Sequence, residues 1–323
     1  MGVVLGQDSL PPGIIESDPP LLTEGTIGWL RVRPRAGAVT AGGRAAGEPI
    51  HFESAAAGGY RALIGVPVAV GNTLHVSIYL ATSERIDTVV LPIAVRRGGY
   101  PREQIAVAPA FVRPDAAAAA RIRADLVKSR RVSRRSQETP RLWQGPFRLP
   151  RTSRITSRFG SARVYNGEVK SRHLGTDFAG AVGTPVRAAG RGVVALVANF
   201  YLAGRAVYID HGGGLITTYF HLSRAEVSEG DTVVAGQRIG RVGQSGRVTG
   251  PHLHWAARYG RIAVDPMSLL ELEKVPEATS GGGPVQRPDS SESLRGHAVP
   301  EAIPPPSPAE STGSPRGPAD RSR

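Results

Sequence analysis

Most histidines of the chain lie in one part of the sequence, close to an aspartate that could share their chemistry. Five of the eight fall between residues 173 and 254: His173, His211, His221, His252 and His254. His252 and His254 are separated by one residue in "GPHLHW", so on a β-strand, where side chains alternate, both would point to the same face. His173 and Asp177 stand four apart in "SRHLGTDFAG", where the glycines favour a strand end or a loop over a helix.

These residue types are the ones that bind zinc in proteins. Histidine nitrogen and aspartate oxygen are both zinc ligands, and two imidazoles with one carboxylate would complete three protein ligands. The fourth position would then be open to water or substrate, which distinguishes a catalytic zinc site from a structural one. Two further histidines would remain for proton transfer. HxH and HxxxD are each weak signals, and it is their joint occurrence that indicates a zinc centre.

The other histidines have simpler explanations. His221, in "TYFHLS", could be an ordinary core or surface residue of a strand as well as a proton carrier. His211 precedes a triple glycine, where a structural role is favoured. We assign no role to His51, His75 and His297.

The region that must position these residues, 151–273, is strand-like almost throughout. Runs such as "GRGVVALV" and "AVYIDHGGGLITTYFHL" are separated by glycine-rich turns, and only the short "PMSLLELE" breaks the pattern. Upstream, residues 23–113 alternate in the same way in "TLHVSIYLAT" and "IDTVVLPIAV", with turn signals at the spacing of a small antiparallel sandwich. The predicted fold class is therefore all-β, with a β-sandwich-like domain followed by a second antiparallel β domain.

The remaining segments connect or flank these two domains. Residues 114–150 predict a helix with Asp115 as its N-cap, an arginine-rich end and a proline-punctuated linker. We interpret the arginines as a solvated face, with a docking patch for an anionic polymer as the alternative. Residues 1–22 predict a flexible lead-in, and residues 274–323, rich in Pro, Ser, Gly and Glu, predict a disordered tail.

Composition excludes several classes of protein. The chain contains no cysteine, which rules out cysteine-ligated zinc, thiol catalysis and disulfides. No apolar run approaches the roughly 20 residues of a transmembrane helix, and the N-terminus lacks the basic and apolar regions of a signal peptide. The formal net charge of +13 has two explanations: an anionic partner, such as a cell-wall polymer, a membrane surface or nucleic acid, or an arginine excess that comes from coding bias alone.

The order of motifs resembles the lysostaphin/LytM-type zinc endopeptidases of bacterial cell walls. The resemblance covers about residues 154–270 and rests on "SRFG", HxxxD, "GTPVRA", YxHL, "GQRIGRVGQSG" and GPHLH in that order. It implies that His173, Asp177 and His254 are the ligands of a Zn²⁺ cofactor and that His221 and His252 are the catalytic pair. It further implies hydrolysis of peptide bonds in peptidoglycan stem peptides or cross-links, and a periplasmic or extracellular location despite the missing signal peptide.

One position departs from the family pattern. Many relatives continue the HLH strand with an aromatic residue and a glutamate, whereas Trp255 is followed here by Ala256. That glutamate is not a ligand, so the predicted zinc site stands, but the support it gives to the ligands is in question. Such supporting contacts change metal affinity by about 10- to 100-fold.

Other functions remain as alternatives or are excluded. A catalytically silent relative would bind peptidoglycan or activate another wall hydrolase, but such proteins usually lack one or more of the five positions present here. "VSEGDTVVAGQRIGRVG" resembles the hairpin of lipoyl and biotinyl carriers, which need a lysine, and none occurs between Lys170 and Lys274. Nucleic-acid binding is disfavoured because no recognition helix or stacking motif accompanies the arginines. The sequence leaves open which peptide bond is cut and whether the first domain inhibits, targets or only spaces.

Overall fold

A computed structural model describes residues 14–34, 39–55, 58–105, 109–165 and 169–272. These residues belong to one compact unit. The predicted disordered tail, 274–323, and residues 1–13 of the predicted lead-in lie outside the described residues. Within those described, no helix is both long and apolar enough to cross a membrane.

The first half of the chain forms two small sheets. Its strands are β1 (Ile14–Asp18), β2 (Leu22–Thr23), β3 (Ile27–Arg33), β4 (Val39–Ala45), β5 (Glu48–Ile50), β6 (Glu53–Ser54), β7 (Tyr60–Gly65), β8 (Thr73–Ala81) and β9 (Ile86–Arg96). One sheet has the order β1-β3-β7-β6 and the other β2-β9-β8-β4-β5. Strand β8 has the predicted alternation, because Leu74, Val76, Ile78 and Leu80 are buried while the residues between them are more exposed.

The sequence predicts a flexible lead-in over residues 1–22, but part of it, Ile14–Asp18, forms a strand. Ile14–Asp18 is an antiparallel partner of β3, with Ile15 opposite Val32. The segment is short and flanked by prolines, so its pairing with a distant strand had no local signal in the sequence.

A strand and two helices follow, namely β10 (Arg102–Ile105), α1 (Pro109–Val112) and α2 (Ala116–Ser136). Asp115 is the N-cap of α2, as predicted, and its carboxylate accepts a hydrogen bond from the Ala118 amide at 2.8 Å. The arginines near the end of the helix are exposed, while Val132 packs with Phe200 and Tyr208 beneath it.

The second half contains the sheet that carries the predicted site. The strands of this half of the chain are β11 (Ile155–Ser157), β12 (Ala162–Tyr165), β13 (Val169–Arg172), β14 (Thr176–Ala179), β15 (Pro185–Arg187), β16 (Gly192–Phe200), β17 (Gly204–Gly212), β18 (Leu215–Ala225), β19 (Thr232–Val233), β20 (Arg238–Val242), β21 (His252–Tyr259) and β22 (Ile262–Val264). A short 3₁₀ helix, Pro266–Glu271, follows. The main path of this antiparallel sheet is β11-β14-β21-β18-β17-β16-β19, and β10, β12 and β13 form a small separate sheet.

Buried side chains from both halves of the chain pack against one another in one hydrophobic core. The Trp29 indole donates to the Leu272 carbonyl at 2.9 Å, and its ring lies 6.1 Å from that of Trp143 in the linker. Trp143 and Phe147 are both buried. The proline-punctuated linker therefore contributes aromatic side chains to the shared core.

Candidate active site

Strand pairing brings the predicted site residues together. Strands β14 and β21 are antiparallel neighbours, with Asp177 directly opposite His254 and Ala179 opposite His252. Since alternate residues of a strand share a face, His252 and His254 lie on the same face as Asp177. His173 lies between β13 and β14, three residues before β14 begins, in the loop that the glycine-rich sequence predicts.

Three of these side chains converge on one point. His173 Nε2 lies 3.0 Å from Asp177 Oδ1 and 3.0 Å from His254 Nδ1, and the last two atoms are 2.8 Å apart. All three ligand atoms fall within 4.8 Å of one another, so this group could hold a metal ion. His173 and Asp177 are buried, and the His254 side chain is only 12% exposed.

Hydrogen bonds to the far side of His173 prepare it to bind a metal. Its Nδ1 lies 3.0 Å from the Arg158 carbonyl oxygen, which can only accept, so Nδ1 carries the proton. The lone pair is then on Nε2, the atom that faces Asp177 and His254. This arrangement, in which the other ring nitrogen donates to an oxygen, is typical of histidines that bind metals.

The electrostatics of the group also suit a cation. Burial alone would raise the pKa of the Asp177 carboxyl, but the close approach of His173 and His254 outweighs it and holds the pKa below its ordinary range. Burial lowers the pKa of His254 to about 4 despite its contact with Asp177. The site therefore presents a carboxylate and a neutral His254 imidazole, protonation states that coordinate metals.

The two remaining histidines lie beside this group. The ring centroids of His221 and His252 are 4.8 Å apart, and His252 Nε2 lies 3.8 Å from Asp177 Oδ1. Each has its Nδ1 against a backbone carbonyl at 2.8 Å, that of Ser245 for His221 and that of Gly250 for His252. Both rings thus keep an Nε2 lone pair for a proton.

His221 is unusual in both its backbone and its pKa. Its φ of 61° lies in the left-handed region, which is uncommon for a residue other than glycine and concentrates at functional sites. Burial, followed by the neighbouring His254 and His252, lowers its pKa to about 3. The imidazole at this position is therefore neutral near neutral pH, with its Nε2 lone pair free.

Gly175 provides the room that His254 occupies. A Cβ atom built at Gly175 would lie 2.5 Å from His254 Nε2 and 2.7 Å from the Trp255 carbonyl oxygen. The Phe220 ring is stacked on the imidazole, with centroids 5.3 Å apart and an interplanar angle of 5°. The ring of His254 is thus in close contact with both a glycine and an aromatic side chain.

His211 has the structural role that the sequence favours. It is buried, with Nδ1 2.8 Å from the Arg191 carbonyl and Nε2 2.8 Å from Thr217 Oγ1. Thr217 in turn lies 3.0 Å from the Tyr219 hydroxyl, which accepts from the Ala189 amide. The histidine therefore belongs to a satisfied buried network and does not reach the metal group.

All five site residues line one cavity of about 310 Å³. Helix α2 forms part of its wall through Ile122, Asp125, Leu126 and Ser129, which sequence reasoning did not identify as site residues. Their i, i+3, i+4, i+7 spacing is that of one helical face, and this was the signal available in the sequence. The helix predicted as a surface element thus also borders the site.

Two further residues missed by sequence reasoning contact the metal group directly. Arg163 donates to Asp177 Oδ2 at 2.8 Å, and Ser157 Oγ lies 2.9 Å from His173 Nδ1. Ala256, which stands where relatives carry a glutamate, lies opposite Thr218 and lines the cavity. Ser157 is the first residue of the "SRFG" motif, but nothing in that motif indicated a contact with His173. Arg163 belongs to no motif identified in the sequence, and it reaches the site from β12.

Comparison with known proteins shows that the segment carrying these residues is similar to a family of peptidases. Residues 171–266 match Peptidase family M23. Over 103 residues the chain is 48% identical to Peptidoglycan DD-endopeptidase ShyA of Vibrio cholerae, an alignment that covers 32% of this chain and 24% of that protein. Over 117 residues it is 42% identical to DD-carboxypeptidase/endopeptidase Mpg of Neisseria meningitidis, which covers 36% of this chain and 27% of that protein. The matched segments thus span about a quarter of the length of these relatives.

A solved structure extends the likeness beyond the matched segment. A crystal structure of a candidate peptidase M23 from Pseudomonas aeruginosa superimposes with a TM-score of 0.59 at 24% identity, covering 77% of this chain and 94% of that chain. At this identity the comparison bears on the fold, and it confirms the all-β prediction. The resemblance read from the motifs is likewise confirmed: residues 171–266, which contain all five site residues, match Peptidase family M23.

Proposed function

We propose that this protein is a zinc-dependent endopeptidase that hydrolyses peptide bonds in peptidoglycan stem peptides or cross-links. The observation that carries the proposal is the convergence of His173, Asp177 and His254 beside two further histidines on one cavity. The names of the relatives, a DD-endopeptidase and a DD-carboxypeptidase/endopeptidase, support peptidoglycan as the substrate. Such a substrate places the protein in the periplasm or outside the cell.

The donor set fits zinc better than magnesium or calcium. Two neutral imidazoles and one carboxylate match the nitrogen and oxygen ligands that zinc accepts, whereas magnesium and calcium prefer oxygen alone. Three protein ligands leave a position for water or substrate, as catalytic zinc sites do. When bound, zinc would polarise the scissile carbonyl and lower the pKa of a water molecule toward about 7.

His221 and His252 would carry the protons of the reaction. In hydrolysis, water adds to the carbonyl carbon, the C–N bond breaks, and a proton must reach the leaving amine. One of the two Nε2 atoms accepts the water proton; the other ring, in its protonated form, carries an Nε2–H that stabilises the developing oxyanion or delivers a proton to the amine. Hydrogen bonds from both Nδ1 atoms to backbone carbonyls fix the orientation of the rings.

Basic side chains along the cavity support an anionic substrate. Arg172, Arg247 and Arg258 all line it, and Arg247 also donates to the Tyr165 hydroxyl at 3.3 Å. Guanidinium groups suit the carboxylates of stem peptides, and the net charge of +13 favours the same class of partner. Anionic cell-envelope polymers are a further candidate partner.

The decisive experiment combines metal analysis with mass spectrometry of digested peptidoglycan. Purified protein is expected to contain about one zinc per chain and to release peptide fragments whose masses identify the cleaved bond. A chelator should abolish release, and added zinc should restore it. His75→Ala is a matched control, because His75 is exposed on β8. Zinc binding without fragment release would contradict the proposal and favour a silent peptidoglycan-binding relative.

A further inference from the structure

Strand β10 brings a carboxylate from outside the matched family segment to the metal group. It pairs in parallel with β12, with Glu103 opposite Arg163. Side chains alternate along β10, so Arg102 and Gln104 are exposed while Glu103 is half-buried. Glu103 therefore points toward the interior, where Ser157 and Arg163 contact the ligands.

The first contact of Glu103 leads to His173. Ser157 Oγ lies 2.9 Å from Glu103 Oε2 and 3.1 Å from Oε1. Because a carboxylate only accepts, the Ser157 hydroxyl donates to Glu103, and its oxygen is left to accept from His173 Nδ1 at 2.9 Å. The Nδ1 proton of His173 is shared between Ser157 Oγ and the Arg158 carbonyl oxygen, 3.0 Å away, and both contacts keep the lone pair on Nε2, toward the metal position.

The second contact leads to Asp177. Arg163 Nε lies 3.5 Å from Glu103 Oε2, which is an ion pair without hydrogen-bond geometry, since Nε has no hydrogen-bond partner. The other end of the same guanidinium donates to Asp177 Oδ2 at 2.8 Å and to Ser157 Oγ at 3.0 Å. Glu103 thus offsets part of the positive charge that Arg163 places against the ligand.

We infer that Glu103 is a positioning residue for the metal centre, acting on His173 through Ser157 and on Asp177 through Arg163. The inference rests on the proposed function, since it requires that the group binds zinc. Carboxylates commonly orient metal-bound histidines directly; here a serine hydroxyl lies between the two. Glu103, Ser157 and Arg163 all precede residue 171, where the family match begins.

The segment before Glu103 is anchored by Tyr100, which helps to fix the position of the carboxylate. The Tyr100 hydroxyl donates to the Glu24 carbonyl in the first half of the chain. The Tyr100 ring packs edge-on against Phe159 at 6.2 Å, in the loop before β12. The supporting carboxylate therefore depends on contacts made by both halves of the chain.

Zinc affinity of the full-length protein, measured by competition with a chromophoric chelator, tests this inference. Glu103→Ala is expected to weaken zinc binding by about 10- to 100-fold. Gln104→Ala is the matched control, because it alters the exposed face of the same strand, and it should bind as the wild type does. The visible spectrum of the cobalt-substituted protein should also change in Glu103→Ala and not in Gln104→Ala, since it reports ligand geometry.

A double-mutant cycle with Ser157→Ala tests the connection to His173. If Glu103 acts through Ser157, the double variant should lose much less affinity than the sum of the two single losses. Fully additive losses, or wild-type affinity and spectrum in Glu103→Ala, would overturn the inference. Thermal unfolding checks that the variants fold; should Glu103→Ala not fold, Glu103→Gln is expected to weaken binding in the same direction by a smaller factor.

Failure of this inference can be distinguished from failure of the proposed function. If the wild type binds no zinc, the proposed function itself is wrong. If the wild type binds zinc and cleaves peptidoglycan while Glu103→Ala binds it equally tightly, only the role of Glu103 is wrong.

Discussion

His221 and His252 lie on different strands, yet both are oriented by the same loop. Residues 243–251 connect β20 to β21 and contribute the Ser245 carbonyl that accepts from His221 and the Gly250 carbonyl that accepts from His252. With ring centroids 4.8 Å apart, the two imidazoles can serve one reacting peptide. The proposed function gives this pair the proton transfers and gives the three neighbouring side chains the metal. The first prediction tests that division of roles.

Replacing either member of this pair should remove activity and leave the metal in place. We expect His221→Ala and His252→Ala each to lower the rate of peptidoglycan cleavage by about 10²- to 10⁴-fold, the usual contribution of a general acid or base. Zinc content should stay near that of the wild type, because neither ring is among the three converging ligands. Fragment release and metal analysis on the same preparations test this, with His75→Ala as control. Wild-type rates in either variant would exclude that histidine from the proton transfers.

Replacing a ligand should have the opposite pattern, with metal and activity lost together. Asp177→Asn removes the charge that the two imidazoles surround and leaves an amide 2.8 Å from Arg163, so zinc affinity should fall by at least about 100-fold. Zinc should raise the melting temperature of the wild type, since a ligand bound only by the native state stabilises it. The variant should show little such increase. An equal increase in both proteins would mean that zinc binds elsewhere.

Strand alternation and motif order were enough to predict the centre of the site. The period of two in "HLH" placed His252 and His254 on one face, and the family resemblance assigned each a role. Their positions opposite Ala179 and Asp177 bear out the shared face; the roles themselves await the experiments above. The all-β class followed in the same way from runs such as that of β8.

The supporting residues could not be predicted, because they arrive through contacts between distant segments. Glu103 and Ser157 are 54 positions apart and meet by a side-chain contact between β10 and β11, while β10 itself pairs with β12. Nothing local in "REQI" distinguishes Glu103 from any other strand carboxylate. Strand β1 was missed for the same reason, since its partner β3 determines that it is a strand.

A methyl group added at Gly175 should disturb a ligand without removing it. In Gly175→Ala the new Cβ would lie 2.5 Å from His254 Nε2 and 2.7 Å from the Trp255 carbonyl oxygen, and the imidazole is also stacked against Phe220. We expect zinc affinity and cleavage to fall together by about 10-fold or more. Gly99→Ala is the control, because its Cβ would meet nothing within 4 Å. Unchanged zinc affinity in Gly175→Ala would mean that the ring of His254 is not confined as described.

The buried neutral state of His211 should make folding stability depend on pH. Burial lowers its pKa from 6.5 to about 4, despite its hydrogen bond to the Arg191 carbonyl. Above about pH 6.5 the imidazole is neutral in both states, so it contributes no pH dependence. Between about 6.5 and 4 the unfolded chain takes up a proton that the folded protein does not, so stability falls as the pH falls, by up to about 3 kcal/mol at pH 4. Urea unfolding of the wild type and His211→Gln from pH 7 to 4 measures this. The variant should be less stable at pH 7, since it disturbs the network with Thr217 and Tyr219, but the difference should narrow toward pH 4. Parallel curves would show that His211 titrates alike in both states and that its burial does not hold it neutral.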